Sequence, residues 1–193
     1  MTDDVRASIL TASLDLMNEG GLGALSMREV ARRAGVSHQA PYHYFADRES
    51  ILAELVRDGF VRLHSYMIAA LAKSPAAIDR VQAMGETYVR FALDYPAQFR
   101  LMFRGEMVDM ERHEDAHSAA EQAFNLLVSE VAAVDSGEPP GSIAPIIACW
   151  AISHGLATLL LEGKAGHHFG ETREDWDAGI GRVFGFFAKK FSA

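Results

Sequence analysis

Three consecutive side chains, those of residues 38–40, carry groups that can read the edges of DNA bases. The Gln39 amide can donate to and accept from one adenine at the same time. A His38 nitrogen can hydrogen-bond a guanine acceptor, and the Ala40 methyl can contact the methyl group of thymine. If the three lie exposed on one short helix, the sequence predicts direct readout of duplex DNA in the major groove.

The elements that must present these side chains are two short helices joined by a glycine turn. Ser26 and Glu29 have the spacing of a capping box, in which the Ser26 hydroxyl accepts from the Glu29 N–H and the Glu29 carboxylate reaches back to the Ser26 N–H. Gly35 can adopt the left-handed conformation that ends the first helix in a sharp turn. Ser37 offers a new N-cap for a second, aromatic helix, which is predicted to run to Phe45. This pattern is typical of a helix-turn-helix motif, whose second helix enters the major groove.

The rest of the chain is also helical by its apolar pattern. Apolar residues recur every three or four positions almost throughout, without a sustained alternation typical of strands. We therefore expect an all-α fold of about nine helices. Residues 1–48 are predicted to form a three-helix DNA-binding domain, and residues 49–193 a larger helical domain. Asp47 is expected to cap the long helix that connects them.

The segment from Ser26 to Leu52 resembles the N-terminal domain of the TetR family of transcriptional regulators. A second stretch, W-x-x-x-H-G inside an apolar helix, resembles the Trp-His-Gly type of TetR C-terminal domain. The resemblance rests on Ser26, Val30-Ala31, Ala34-Gly35-Val36-Ser37, Tyr42-His43-Tyr44-Phe45 and Asp47-Arg48-Glu49, and in the C-terminal part on Tyr95-Pro96, Phe99–Phe103, Trp150, His154 and Gly155.

The resemblance implies a cytoplasmic transcriptional regulator, most simply a repressor, that binds double-stranded DNA. It places phosphate contacts at Tyr42 and His43, and Arg48 with the N–H groups at the start of its helix is expected to form an anion site. Pro41 lacks an N–H, so its ring is expected to offer an apolar contact in the groove, whereas Tyr44 can equally be a packing residue. The predicted DNA-binding residues are Ser26, Arg28, Ser37, His38, Gln39, Ala40, Pro41, Tyr42, His43, Tyr44 and Arg48.

A two-fold homodimer is expected because one helix-turn-helix contacts too little DNA for tight, site-specific binding. Its two heads would lie about 34–36 Å apart on a pseudo-palindromic operator. In the family the last two helices form a four-helix bundle between subunits, and here residues 143–162 and 173–190 have apolar surfaces too wide for one core-facing stripe. The predicted interface residues are Trp150, His154, Leu161, Phe184 and Phe187.

A pocket for a small hydrophobic effector is expected in the C-terminal part. The helix near residues 75–95 is apolar on two faces, although ordinary core packing explains the same residues and stays open. An effector would lower DNA affinity by favouring a dimer whose heads are spaced wrongly for the operator. The predicted lining residues are Met84, Tyr88, Phe91, Phe99, Met102, Phe103, Phe124 and Trp150.

The net charge of −8, from 18 Lys and Arg against 26 Asp and Glu, is unusual for a nucleic-acid binder. Within residues 26–48, four arginines outnumber two acids, and two histidines add donors. We therefore expect selective DNA binding that weakens with salt. The acidic start of the chain does not resemble a signal peptide, and polar residues interrupt the apolar run 143–161, so no membrane association is expected.

A pair of histidines suggests a different kind of site. His113 and His117 are four residues apart, so on a helix they share a face that could bind a metal. Their polar surroundings favour exposed, capping roles, and Cys149 is the only cysteine. We therefore expect no cofactor, no metal and no enzyme. The alternatives are a helical metal- or heme-binding protein or enzyme that uses the histidines, and a DNA-binding regulator without a small-molecule effector.

Overall fold

The computed structural model describes residues 2–134, 137–139 and 141–191, and none of these forms a strand. The all-α prediction is confirmed, and these described residues form eight α-helices because the helix expected after Ser37 is a 3-10 turn. The α-helices are α1 (Thr2–Gly20), α2 (Met27–Arg33), α3 (Arg48–Leu71), α4 (Ala77–Asp94), α5 (Pro96–Met102), α6 (Glu114–Ala132), α7 (Ala144–Leu161) and α8 (Arg173–Phe191), and the 3-10 turns are Leu22–Ala24, Ala40–His43 and Gly166–His168.

Side-chain caps explain where α2 and α3 begin. The Ser26 hydroxyl accepts from the Glu29 N–H at 3.3 Å, as predicted. The Glu29 carboxylate instead accepts from the Arg32 Nε at 2.9 Å, so the reciprocal half of the capping box is replaced by an ion pair. Asp47 caps α3, because its Oδ1 accepts from both the N–H and the hydroxyl of Ser50 at 2.8 Å.

The first of two compact units comprises Met1–Val61 and Tyr95–Ala120. Its core contains Ile9 of α1 and Ile51 of α3, both fully buried. Helices α1 and α2 therefore share their unit with the first part of α3, with α5 and with the start of α6. A separate DNA-binding domain of residues 1–48 stays a prediction.

Helix α5 packs closely on α3 within this first unit. Gln98 is 2% exposed, and its Nε2 donates to the Leu55 carbonyl at 2.9 Å. A Cβ at Gly59 would lie 2.6 Å from the Met102 sulfur, so glycine is what allows this close approach. The helix that follows the helix-turn-helix is thus braced by a buried polar contact and a glycine.

The second unit comprises Arg62–Asp94 and Glu121–Ala193. In it, α4 packs against both α7 and α8. A Cβ at Gly85 of α4 would overlap the ring of Phe184, so glycine again permits two helices to approach. Phe184 is 7% exposed and belongs to this core.

Helix α7 is the one described helix that is long and apolar enough to cross a membrane by its length and composition. Only 33% of this helix is buried in the single chain. Large apolar side chains along it are exposed, namely Ile147 at 44%, Trp150 at 37% and Leu159 at 45%. These side chains form an exposed apolar surface along α7.

Candidate nucleic-acid interface

The segment that carries the predicted base-reading residues forms a 3-10 turn instead of an α-helix. The Ala40 N–H donates to the Ser37 carbonyl at 2.9 Å, and the Tyr42 N–H donates to the Gln39 carbonyl at 3.1 Å. Both bonds span three residues. Pro41 has no N–H to donate to the Ser37 carbonyl, which removes the four-residue bond that an α-helix needs there.

Most side chains of this turn point into solvent. His38, Gln39 and His43 are exposed, and Tyr42 is 46% exposed. The His38 and Tyr42 rings lie 6.3 Å apart, so they form one continuous polar and aromatic edge. Gln39 lies between them in the chain. The contact of these side chains with DNA stays a prediction.

The remaining members of the predicted set differ in exposure. Ser37 is exposed, whereas Ala40 and Tyr44 are half-buried. Pro41 is buried, so the apolar groove contact predicted for its ring is wrong for this structure. Its carbonyl accepts from the Phe45 N–H at 2.9 Å, and this end of the turn is therefore tied to the core.

The turn between α2 and the reading segment depends on a glycine. Gly35 has a φ of +69°, which a side chain would strain. Its N–H donates to the Arg32 carbonyl at 3.3 Å, while the Val36 N–H donates to the Ala31 carbonyl at 3.1 Å. The two bonds form a Schellman motif, which ends α2 and turns the chain toward Ser37.

The arginines near this surface differ in what they bind. Arg32 pairs with Glu29, and Arg33 binds both oxygens of Glu19 at 2.6 Å. These ion pairs lower the pKa of both glutamates, because each guanidinium donates to the carboxylate. Arg28 is exposed and makes no hydrogen bond or ion pair with any described residue. Arg28 is therefore the exposed arginine among residues 26–48 that has no acidic partner among the described residues.

Arg48 is half-buried, and its guanidinium faces the protein. Its Nε donates to the Leu25 carbonyl at 2.9 Å, and its Nη2 donates to the Leu22 carbonyl at 3.0 Å. Two of its five N–H groups are thus engaged within the first unit. Its contact with phosphate stays a prediction.

The predicted effector-pocket residues fall into both compact units. Met84, Tyr88 and Phe91 of α4 are buried in the second unit. The rings of Phe124 and Trp150 meet edge to face at 5.8 Å in the same unit. The remaining three predicted residues belong to the first unit: Phe99, Met102 and Phe103.

One polar contact lies among these apolar residues of the second unit. The Tyr88 hydroxyl is 2.8 Å from His154 Nδ1. Burial raises the pKa of the Tyr88 phenol and lowers the pKa of the His154 imidazole, so the pair is uncharged at neutral pH. It offers hydrogen-bonding groups inside a largely apolar environment.

The side chains predicted for the dimer interface are exposed to different degrees. Trp150 is exposed, and His154, Leu161 and Phe187 are half-buried. Phe184 is 7% exposed and packs against Gly85 of its own unit, which leaves little of its ring for an interface. Phe186 of α8, which is 61% exposed, is absent from the predicted interface residues. Its position between two core-facing positions of α8 was the available signal.

The histidine pair does not belong to a metal-binding cluster, since no group of three potential ligands occurs among the described residues. His113 Nε2 lies 3.4 Å from Glu49 Oε1. The same Glu49 oxygen accepts from the Asp109 N–H at 2.9 Å. His113 is thus part of the contact between the segment before α6 and the first turn of α3.

Two short helical segments joined by a glycine turn, with an exposed polar reading surface, define a helix-turn-helix DNA-binding protein. The family model for bacterial regulatory proteins of the tetR family matches residues 9–55. The model described as tetracyclin repressor-like, C-terminal domain, matches residues 81–183, more than half of the chain. The chain belongs to the TetR family of transcriptional regulators.

Relatives and solved structures agree with this assignment. The chain is 32% identical over 79 residues to the HTH-type transcriptional regulator BetI of Rhizobium meliloti (strain 1021), covering 41% of this chain and 39% of BetI. It is 35% identical over 81 residues to BetI of Klebsiella pneumoniae (strain 342), covering 41% and 42%. The matches thus span about two fifths of the length of these curated relatives.

The fold is shared over nearly the whole chain with solved structures. A protein of unknown function from Rhodococcus sp. RHA1 is 28% identical, with a TM-score of 0.75 and coverage of 97% of this chain and 93% of that one. The transcriptional regulator FadR from Bacillus subtilis, solved in complex with stearoyl-CoA, is 14% identical, with a TM-score of 0.73 and coverage of 96% and 98%.

Proposed function

We propose that this regulator is a ligand-responsive repressor that binds a pseudo-palindromic operator as a homodimer. The observation that carries the proposal is the exposed turn at residues 37–43, with the His38 and Gln39 side chains free to reach base edges. A repressor of this kind blocks transcription while bound and is released when an effector favours another state of the dimer.

The division of labour on DNA follows from side-chain chemistry. His38 and Gln39 would read bases, whereas Tyr42 and His43 would hydrogen-bond phosphate oxygens. Arg28 would supply the charged phosphate contact, because its guanidinium has no hydrogen-bonding or ion-pair partner among the described residues. The remaining candidates have smaller roles. Ser26 and Ser37 would contact the DNA backbone, and Ala40 and Tyr44 would lie at the edge of the contact surface.

A second copy of this chain is the partner that best fits the exposed apolar side chains of α7 and α8. Ile147, Trp150 and Leu159 of α7 and Phe186 of α8 remain accessible in the single chain. A two-fold interface uses the same patch on both copies, so one apolar surface suffices for both. Burial between subunits would remove these side chains from water.

A small, mainly apolar effector fits the C-terminal part. Met84 and Phe91 supply apolar surface there, and the Tyr88–His154 pair supplies a polar group that can orient a ligand. FadR of similar fold was solved with stearoyl-CoA, an acyl compound. This likeness supports a class of ligand that has an apolar chain and a polar end. It does not identify a particular compound.

Selection of bound sequences from random duplex DNA tests operator binding, with sedimentation of the protein and its complex to count subunits. We expect a two-fold symmetric consensus bound by a dimer. The Gln39→Ala variant should relax base preference at one position in each half-site, at a cost of about 1–3 kcal/mol for the correct base. A consensus without symmetry, or an unchanged preference in this variant, would contradict the proposal.

The effector is tested separately by thermal unfolding with saturated and unsaturated acyl compounds. A ligand selective for the folded state raises the melting temperature. The same compound should weaken operator binding, because the proposed effector favours the state of the dimer that does not bind DNA. A compound that stabilises the protein without changing operator affinity would argue against ligand-responsive repression.

A further inference from the structure

The Arg48 guanidinium is turned toward the backbone of its own compact unit. Its Nε and Nη2 donate to the carbonyls of Leu25 and Leu22, at 2.9 and 3.0 Å. These two nitrogens form one edge of a rigid planar fork, so the two bonds together fix the orientation of the guanidinium. They reach across 23 and 26 residues of chain, from the start of α3 back to the turn that precedes α2.

The two carbonyls belong to the 3-10 turn Leu22–Ala24 and to its C-cap, Leu25. Leu25 is 3% exposed and anchors the turn in the core. The next residue is Ser26, the N-cap of α2. Because consecutive residues are covalently joined, a shift of the Leu25 carbonyl moves Ser26 and the first turn of α2.

The start of α3 is poorly suited to bind a phosphate. The Asp47 carboxylate already accepts from the Ser50 N–H and hydroxyl. The Ser50 N–H bond lowers the pKa of Asp47, so this carboxylate is ionised at neutral pH. Its negative charge disfavours a second anion at the same helix end. The anion site expected here from the sequence is thus occupied by the protein's own side chain.

We propose that Arg48 is a positioning residue for DNA binding, which holds the turn at residues 22–25 so that Ser26 and α2 meet the DNA backbone. It contributes no phosphate contact of its own. The inference rests on the proposed operator-binding surface. A positioning role depends on the planar fork of the Arg48 guanidinium. A phosphate contact would depend on its positive charge.

Lysine separates the two roles. The Arg48→Lys variant keeps the positive charge but offers a compact ammonium without a fork, so it cannot hold both carbonyls in the same way. Losing one such bond to a carbonyl should lower operator affinity about tenfold. The slope of log affinity against log salt should stay unchanged. Arg104→Lys is the matched control, because Arg104 pairs with Glu106 on the surface and lies outside the predicted DNA-binding residues, so this variant should bind as the wild type does.

Two outcomes of the binding experiment would overturn the assignment. One is wild-type affinity in Arg48→Lys. The other is an Arg48→Gln variant whose salt slope falls by about 0.9 for each protomer, as the loss of a phosphate contact requires. The first result would mean that operator binding does not need the guanidinium fork, and the second would mean that Arg48 contacts phosphate through its charge.

Amide hydrogen exchange over residues 22–29 tests the same assignment without DNA. Amide exchange in this segment should be faster in Arg48→Lys, because the turn loses its hydrogen bonds to the side chain of residue 48 in α3. Unchanged exchange would overturn the positioning role. If the wild-type protein bound no selected DNA, the operator-binding proposal would fail, while this measurement would still decide about Arg48.

Gly21→Ala gives an independent route if Arg48→Lys does not fold. Gly21 has a φ of +76° and no atom within 4 Å of the position of a Cβ, so alanine would strain the backbone without a clash. This variant displaces the same turn from its other end and keeps every charge. It should lower operator affinity at an unchanged salt slope, and wild-type affinity here would count against the importance of the turn.

Discussion

Removing the Arg28 guanidinium should weaken operator binding in a salt-dependent way. Arg32 and Arg33 are held by Glu29 and Glu19, whereas Arg28 is exposed without a hydrogen bond or ion pair to any described residue. Arg28 is therefore the arginine of this surface that can approach a phosphate without first breaking an internal contact. The Arg28→Ala variant isolates that contribution.

The magnitude follows from counterion release. Each phosphate contact contributes about 0.9 to the slope of log affinity against log salt, so a dimer that loses two contacts should lose about 1.8. At 0.15 M salt this corresponds to a roughly 30-fold weaker affinity. The loss should be similar for operator and unrelated DNA, because phosphates carry no sequence information.

Fluorescence anisotropy of a labelled operator between about 0.05 and 0.3 M salt measures both quantities in the range where the slope is linear. Arg33→Ala is the matched control, because it changes the net charge by the same amount but removes a guanidinium that binds Glu19. We expect this control to keep the wild-type slope. Circular dichroism of both variants verifies that the helices are intact.

Two results would refute the reasoning. If Arg28→Ala kept the wild-type slope, the exposed guanidinium would not contact phosphate. If Arg33→Ala lowered the slope equally, net charge and not contact geometry would govern binding. In either case the ion pairs seen in the free chain would not predict which arginines bind DNA.

Three further variants test the dimer, a helix cap and the glycine turn. Phe186→Glu should raise the dimer dissociation constant by about 100-fold or more, because two exposed rings each lose roughly 1.5–3 kcal/mol of apolar burial; an unchanged sedimentation profile would place the interface elsewhere. Asp47→Ala should lower the free energy of unfolding by about 1 kcal/mol at neutral pH. The Ser50 N–H lowers the pKa of Asp47 in the folded state. The stabilisation is therefore present above the pKa of Asp47 in the unfolded state, and it is lost as the pH falls through the pKa in the folded state. The free energies of unfolding of variant and wild type, measured in urea, should thus converge in acid. Gly35→Ala should cost about 1–2 kcal/mol through its positive φ and lower the melting temperature, and a stability equal to the wild type would show that the turn relaxes.

Local signals in the sequence predicted several helix ends correctly. Ser26, Gly35 and Asp47 act through atoms within a few residues of themselves, and each has the expected role in the structure. Helical periodicity likewise predicted the all-α fold. These features depend on short-range backbone geometry, which neighbouring residue types determine.

Pro41 affected the local backbone more strongly than the sequence pattern predicted. Its missing N–H was apparent from the sequence and a helix was still predicted, whereas the structure contains a 3-10 turn. The ring is buried instead of exposed. The direction of a side chain depends on how the turn packs on the core, and the sequence pattern contains no such information.

Long-range partners were decided by the tertiary structure alone. Arg33 binds Glu19 from 14 residues away, and Arg48 binds the Leu22 carbonyl from 26 residues away. A count of charges treats every arginine alike, because charge is a property of residue type. Which guanidinium is available to DNA depends on the arrangement of α1, α2 and α3, which brings distant acids and carbonyls within hydrogen-bonding distance.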